Sequence, residues 1–223
     1  LHAWHRYKEL PKYRLMFSQL QSRLQRGLKK SDYTWLFENV RFGWKRIMRK
    51  TYHDSVYLLS NLSNVQIAHC EKKFQENLKE LKEEIVIGKI KRREKSYESI
   101  VKTMEYFYGD LSDSQKRSIK TMAVSMIDLV PIRYRFYKER YGKFLSMLKE
   151  KGNASKIKST LKRWMLQTPY SYPPYYRSAL NKVRIQSMQI YLAIDKSATN
   201  SQRLYAIKKM SELVSLIKDL ERG

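Results

Sequence analysis

Between its few breaks, this chain returns apolar residues at the three- and four-residue spacing of a single helix face, and that period leaves little room for anything but an all-α fold. Tyr13, Phe17, Leu20, Leu24 and Leu28 form one such stripe, and Ile67, Cys70, Phe74, Leu78, Leu81 and Ile85 form another. Only 7 glycines and 5 prolines interrupt 223 residues, too few turn formers for a sheet protein of this length.

The interruptions predict a multi-helix bundle or array of about eight helices with short connections, read as one domain over residues 1–223 with a sub-division near 110. Gly27 stops the first helix, and a long second one runs from Ser31 to about Ser60 with Leu36, Val40, Trp44, Ile47 and Thr51 on one face. A third starts at Ser63, breaks or kinks at Gly88, and resumes through Ile90, Tyr97, Val101, Met104 and Phe107 to Gly109. Another opens at Ser112 and carries Ile119, Met122, Met126 and Leu129, and Pro131 kinks or restarts it. Residues 132–148 read as an aromatic and basic helix, and Lys151-Gly152-Asn153 as a turn before a short helix from about Ser155 to Gln167. Thr168 to Pro174 holds Pro169, Pro173 and Pro174 and is the clearest non-helical stretch. A helix from about Pro174 to Asp195 follows. The last, from Thr199, has Leu204, Ile207, Met210, Val214, Ile217 and Leu220 as its stripe.

Three helix starts share one chemistry. Ser63-Asn64-Val65-Gln66, Ser112-Asp113-Ser114-Gln115 and Thr199-Asn200-Ser201-Gln202 each place a hydroxyl three residues ahead of a glutamine. In this capping box the hydroxyl accepts from the glutamine's backbone N–H, and the glutamine side chain accepts from the cap residue's N–H.

The formal net charge of +25, from 46 Lys and Arg against 21 Asp and Glu, exceeds what solubility needs. Residues 61–110 are nearly balanced, with 10 basic and 9 acidic side chains, whereas residues 111–170 carry 14 and 4. Charge of this sign suits nucleic acid, anionic lipid head groups or an acidic protein surface. Abundant Lys, Tyr, Ser and Ile also accompany AT-rich coding, so part of the excess has a compositional source. The densest binding candidate is residues 132–144, where Arg133, Arg135, Lys138, Arg140 and Lys143 interleave with Tyr134, Phe136, Tyr137, Tyr141 and Phe144. Such a mixture grips phosphates and stacks on rings, although the same spacing also describes a helix with its aromatics inward and its cations in water. Lys156, Lys158, Lys162 and Arg163 follow and are expected to extend the positive face. Tyr170, Tyr172, Tyr175 and Tyr176 crowd the proline-rich loop and make it an interface candidate.

Nothing marks a catalyst. His2, His5 and Glu9 share a helix face but lack a further ligand in metal spacing, His53 and His69 are isolated, and the scattered glycines form no phosphate loop. No metal, cofactor or catalytic residue is expected. The single cysteine, Cys70, excludes an internal disulfide, and no apolar run reaches the roughly 18 residues of a membrane-spanning helix. The chain opens at Leu1 inside apparent helix, so further natural sequence is expected ahead of it.

Trp4-His5-Arg6-Tyr7-Lys8-Glu9-Leu10-Pro11-Lys12-Tyr13 resembles the WHR-x-x-ELP-x-Y segment of a family of uncharacterised Gram-negative lipoproteins, domain of unknown function 6279. Leu59 to Ile67 is similar to that family's L-x-x-LS-x-x-Q-I step, Gly109 to Gln115 to its G-x-LS-x-x-Q step, and Thr199 to Arg203 to its final T-x-x-QR step. Trp4, His5, Arg6, Glu9 and Pro11 are the distinctive positions, with Arg6 and Glu9 spaced to pair. The resemblance implies a helical domain, exported and held at the periplasmic side of the outer membrane by a lipidated cysteine outside these residues, and no biochemical activity. Cys70, deep in the chain on an apolar stripe, is not that cysteine. The expectation is therefore a non-enzymatic envelope lipoprotein acting as a binding or scaffold subunit for anionic partners: lipid or lipopolysaccharide phosphates, or an acidic protein surface. The alternative is an intracellular helical protein that binds nucleic acid without sequence preference.

Overall fold

The computed structural model describes residues 1–150 and 154–222, so the turn expected at Lys151-Gly152-Asn153 lies outside the described residues. Every regular element among the described residues is helical. The first helix, α1, is α-helical at His2–Trp4, π-wound at His5–Glu9 and α-helical again at Leu10–Gln25. The π turn answers Pro11, whose missing N–H breaks the α ladder one turn after His5. The Leu10 N–H reaches back to His5 O instead. There follow α2 (Lys30–Ser60), α3 (Asn64–Val86), α4 (Lys89–Tyr108), α5 (Asp113–Ser125), α6 (Leu129–Lys149), α7 (Ala154–Leu161, continued as a π turn at Lys162–Leu166), α8 (Pro174–Ser197) and α9 (Asn200–Arg222). Gly27, Gly88 and Gly109 all take positive φ at helix ends, as the sequence punctuation predicts. Leu129 belongs to α6 and not to the helix opened at Ser112. Asp128 accepts from the Val130 N–H at 3.3 Å and starts a new helix there, which puts Pro131 in its first turn, where an N–H is not needed.

The chain divides into two compact units. Unit 1 is Leu1–Trp44, Glu94–Met126 and Arg184–Gly223, and unit 2 is Lys45–Arg93 and Ile127–Val183. Residue 110 lies inside unit 1, and α2, α4 and α8 each contribute residues to both. In unit 1, α1 packs along α9 around a core that includes Leu20, Leu24, Met104, Ile119, Ile190, Ile194 and Met210. Arg14 pairs with Glu221 at 2.9 Å, and Gln21 donates to the Ser211 hydroxyl at 2.6 Å. In unit 2, α3 packs on α6, and Tyr52, Ile67, Met147, Leu148, Ile157 and Leu161 form the core.

The stripes predict the covered face well for α3 and less well elsewhere. Val40 and Trp44 are more than half exposed in α2, where Gly43 is buried instead. In α9, Leu204 and Leu220 face solvent while Gln202 and Ala206 are buried. A helix's period fixes which residues share a face, but the neighbouring helix decides which face is covered.

Candidate anion-binding face

The α6 helix carries the densest cation cluster, and its side chains meet different fates. Arg133 pairs with Glu84 at 3.2 Å, while its buried Nε has no hydrogen-bond partner. Arg135 donates to Glu139 Oε1 at 2.9 Å and lies over the Tyr175 ring at 4.2 Å, and the Tyr175 hydroxyl donates to Glu139 Oε2 at 3.0 Å. The Arg135 guanidinium, helped by that hydroxyl, holds the Glu139 carboxyl below its ordinary range. Two of the five predicted cations are thus tied down by carboxylates of the same chain.

Arg140 is held differently. Its guanidinium lies 4.8 Å from the Trp164 ring centroid, 5.6 Å from Phe136 and 5.9 Å from Tyr172, and no carboxylate bonds it among the described residues. Ring faces attract a guanidinium but take up none of its N–H donors, so the group is fixed in place with its hydrogen-bonding edge available to an anion. Trp164 also stacks on Phe144 at 5.7 Å, and in this way the π turn after α7, with Lys162 and Arg163, is brought against α6. The two sequence clusters therefore meet through Trp164. Lys138, Lys158, Lys162 and Arg163 are exposed and make no ion pair among the described residues. Lys143 is exposed and within electrostatic reach of Glu139. Lys156 bonds Glu150 at 2.6 Å.

The aromatic residues of this stretch build the interior. Phe136 stacks on Tyr176 at 3.9 Å, Phe74 on Tyr141 at 4.1 Å, and Tyr141 on Tyr137 at 5.4 Å. Burial raises the Tyr176 hydroxyl to about 12. This corrects the reading of the four loop tyrosines as one interface: Tyr176 is buried, Tyr172 and Tyr175 are engaged with Phe136 and Glu139, and Tyr170 alone is prominent, at 71% exposure.

The distinctive N-terminal positions serve α1. Glu9 is wholly buried and takes Lys12 Nζ at 2.8 Å, where the sequence suggested Arg6. His5 packs on Tyr13 with ring centroids 5.8 Å apart, and Trp4 and Arg6 are half-buried. No group of three His, Cys, Asp or Glu among the described residues is placed to share a metal ion.

Sequence reasoning missed the polar interior of unit 1. Asp195, buried in α8, accepts from the Tyr108 hydroxyl at 2.9 Å, from Arg203 at 3.0 Å and from the Leu28 N–H at 2.7 Å. Gly27, at φ +81°, a conformation that other residues rarely adopt, makes the α1–α2 turn that brings the Leu28 N–H to Asp195. Burial, and then the Asp195 charge, push the Tyr108 hydroxyl well above its ordinary range. Asp32 is buried too. Burial alone would raise its carboxyl, but hydrogen bonds from Arg26, the Lys29 N–H and Arg23 overcome that and hold it at about 2. The two capping-box glutamines of unit 1 bond each other reciprocally: each Nε2 of Gln115 and Gln202 donates to the other's Oε1 at 3.0 Å. An apolar cavity of about 250 Å³ beside this interior is lined by Leu20, Leu36, Phe107, Tyr191 and Met210 among others. The sequence signals for the network were Asp195 directly after Ile194, and Gln115, Gln202 and Arg203, which read as capping or motif residues with no sign of their distant partners.

The described helices include none long and apolar enough to cross a membrane. A family of unknown function, DUF6279, matches residues 1–177, so the step read at Thr199 to Arg203 lies beyond the matched stretch. No curated protein and no solved structure matches the chain.

Proposed function

The chain belongs to that family of unknown function, and from the residues of unit 2 we propose that it is a non-enzymatic binding or scaffold protein that grips anionic partners through the Arg140 face. The observation that supports this reading is the Arg140 guanidinium, steadied by Phe136, Trp164 and Tyr172 and left without a carboxylate, beside the exposed Lys162 and Arg163. Phosphate is the favoured anion, because its oxygens accept several charge-assisted N–H bonds at once. The natural bearers of such phosphates in a Gram-negative envelope are lipid and lipopolysaccharide head groups. The N-terminal motif supports the same setting: attachment at the periplasmic side of the outer membrane by a lipid anchor outside these residues.

Titration with inositol hexakisphosphate, a soluble multi-phosphate probe, tests the face directly. Binding that weakens steeply with salt and falls about tenfold or more in the Arg140→Gln/Lys162→Gln/Arg163→Gln variant is the expected result, the fold-change being that of one or two lost charge-assisted bonds. Equal binding by variant and wild type discards the assignment. Capture by polyglutamate matched by no phosphate binding redirects the partner class to acidic protein. Retention of DNA on filters near physiological salt favours the nucleic-acid alternative.

A further inference from the structure

Unit 2 carries a second surface that the Arg140 face does not use, at the two-residue turn between α3 and α4. Val86 is 78% exposed, Ile90 83% and Ile87 39%, so three β-branched apolar side chains crowd a turn where small polar residues are the norm. Gly88 sits at φ +92° with nothing within 4 Å of where a Cβ would stand. The glycine is there to make the turn and not to admit a neighbour. From Val86 to Arg93 the sequence is Val-Ile-Gly-Lys-Ile-Lys-Arg-Arg, with four cations and no carboxylate. Lys89 and Lys91 are exposed on either side of Ile90, as is Lys82 one turn before Val86. The carboxylates about the tip are Glu83, exposed, Glu84, which pairs with Arg133, and Asp128, which pairs with Arg92 and lies within electrostatic reach of Lys89.

The tip is also rigid. Arg92 Nη1 donates to Glu84 O at 3.0 Å and Ile85 O at 2.7 Å, which closes the last turn of α3, while its Nε donates to Asp128 Oδ2 at 3.1 Å. The backbone that carries the apolar side chains is thus tied down, which lowers the ordering cost of contact.

We infer that this turn is a membrane-contact tip, which seats Val86, Ile87 and Ile90 in the interfacial layer of an anionic bilayer while Lys82, Lys89 and Lys91 meet the head groups. Two features single out a lipid surface over a protein one. Three side chains on a convex turn offer far less area than the roughly 800 Å² per partner of a stable protein interface. A bilayer interface, in contrast, accepts shallow insertion of a few apolar groups, and a collar of cations adds attraction to anionic lipid.

The test is flotation of the whole chain with vesicles of phosphatidylglycerol in phosphatidylcholine, against phosphatidylcholine alone. Wild type partitions onto the anionic vesicles. Val86→Asp/Ile90→Asp lowers the partition coefficient about tenfold or more, with an unchanged helical spectrum and melting temperature because both positions are exposed. Lys89→Gln/Lys91→Gln lowers it less and flattens its salt dependence. A polarity-sensitive dye at Ile90→Cys in a Cys70→Ser background shifts to the blue on anionic vesicles and not on inositol hexakisphosphate. Absent wild-type partition, an undisturbed Val86→Asp/Ile90→Asp variant, or a dye that stays in water overturns the inference. Vesicle binding that survives in that variant but falls in the Arg140→Gln/Lys162→Gln/Arg163→Gln variant overturns the tip and leaves the Arg140 face standing. A blue-shifted dye on a protein with no affinity for inositol hexakisphosphate does the reverse.

Discussion

Unit 1 buries its carboxylates: Glu9, Asp32 and Asp195 are nearly inaccessible, and each is met by a cation. Unit 2 fills its interior with rings, stacked from Phe74 through Tyr141 to Tyr137 and from Phe136 to Tyr176. The charge follows the same division. Unit 1 holds 21 Lys and Arg against 12 Asp and Glu, and unit 2 holds 25 against 9. Four cations of unit 1, Lys12, Arg23, Arg26 and Arg203, are therefore held by buried carboxylates, while unit 2 has fewer carboxylates for each cation and ring faces steady the one at the centre of the candidate site. Basic composition alone does not mark a binding surface; what marks one is where the surplus remains after internal pairing.

Substitutions can break or sharpen this contrast. The largest effect is expected from Asp195→Ala, about 3–5 kcal/mol of stability in denaturant melts, because it strands the Arg203 guanidinium, the Tyr108 hydroxyl and the Leu28 N–H. A loss below about 1 kcal/mol would mean that the buried charge does not organise unit 1. Phe136→Ala in unit 2 should cost a similar amount, about 3–5 kcal/mol, by cavity formation alone, and with no added dependence on pH.

The capping boxes give a matched comparison. Gln115→Ala removes a cap and takes one bond each from Gln202 Nε2 and Oε1, which keep only Asp110 O and the Thr199 N–H, so about 2 kcal/mol is expected, with strong coupling to Gln202→Ala in a double-mutant cycle. Gln66, which completes the same box on the exposed start of α3, should cost about 0.5–1 kcal/mol when changed to Ala. Equal losses at the two positions would show that the reciprocal amide bond adds nothing.

Acid should weaken unit 1 through Asp32. Its folded carboxyl, at about 2, lies below the unfolded value near 4. The unfolded chain therefore binds the proton first, and stability that is complete above about pH 4 is lost as pH falls through about 2. In the Asp32→Asn variant this component of the acid titration should disappear. The smallest effect on stability is expected from Arg140→Gln, within about 1 kcal/mol because only ring contacts are lost, while the phosphate titration responds.

Much of the architecture is legible before any coordinates. Ser63, Ser112 and Thr199 announce three helix starts, Gly27, Gly88 and Gly109 announce three ends, and the α3 stripe from Ile67 to Ile85 is the covered face. At the candidate site, the sequence picks out the right helix but not the state of its residues. Arg133, Arg135 and Arg140 look alike in the chain, yet the first two meet Glu84 and Glu139 and the third meets three rings.

The sequence by itself determined the helix starts at Ser63, Ser112 and Thr199, the ends at Gly27, Gly88 and Gly109, and how basic the protein is, because capping bonds close within three residues and charge is a sum over residues. The tertiary structure alone decided that Val40, Trp44 and Leu204 face water, that Asp195 meets Tyr108 and Gln115 meets Gln202 across 87 positions in each case, and that Arg140 keeps its donors free. Each of these depends on which surface a second, distant helix presents, and a helical period carries no information about that partner.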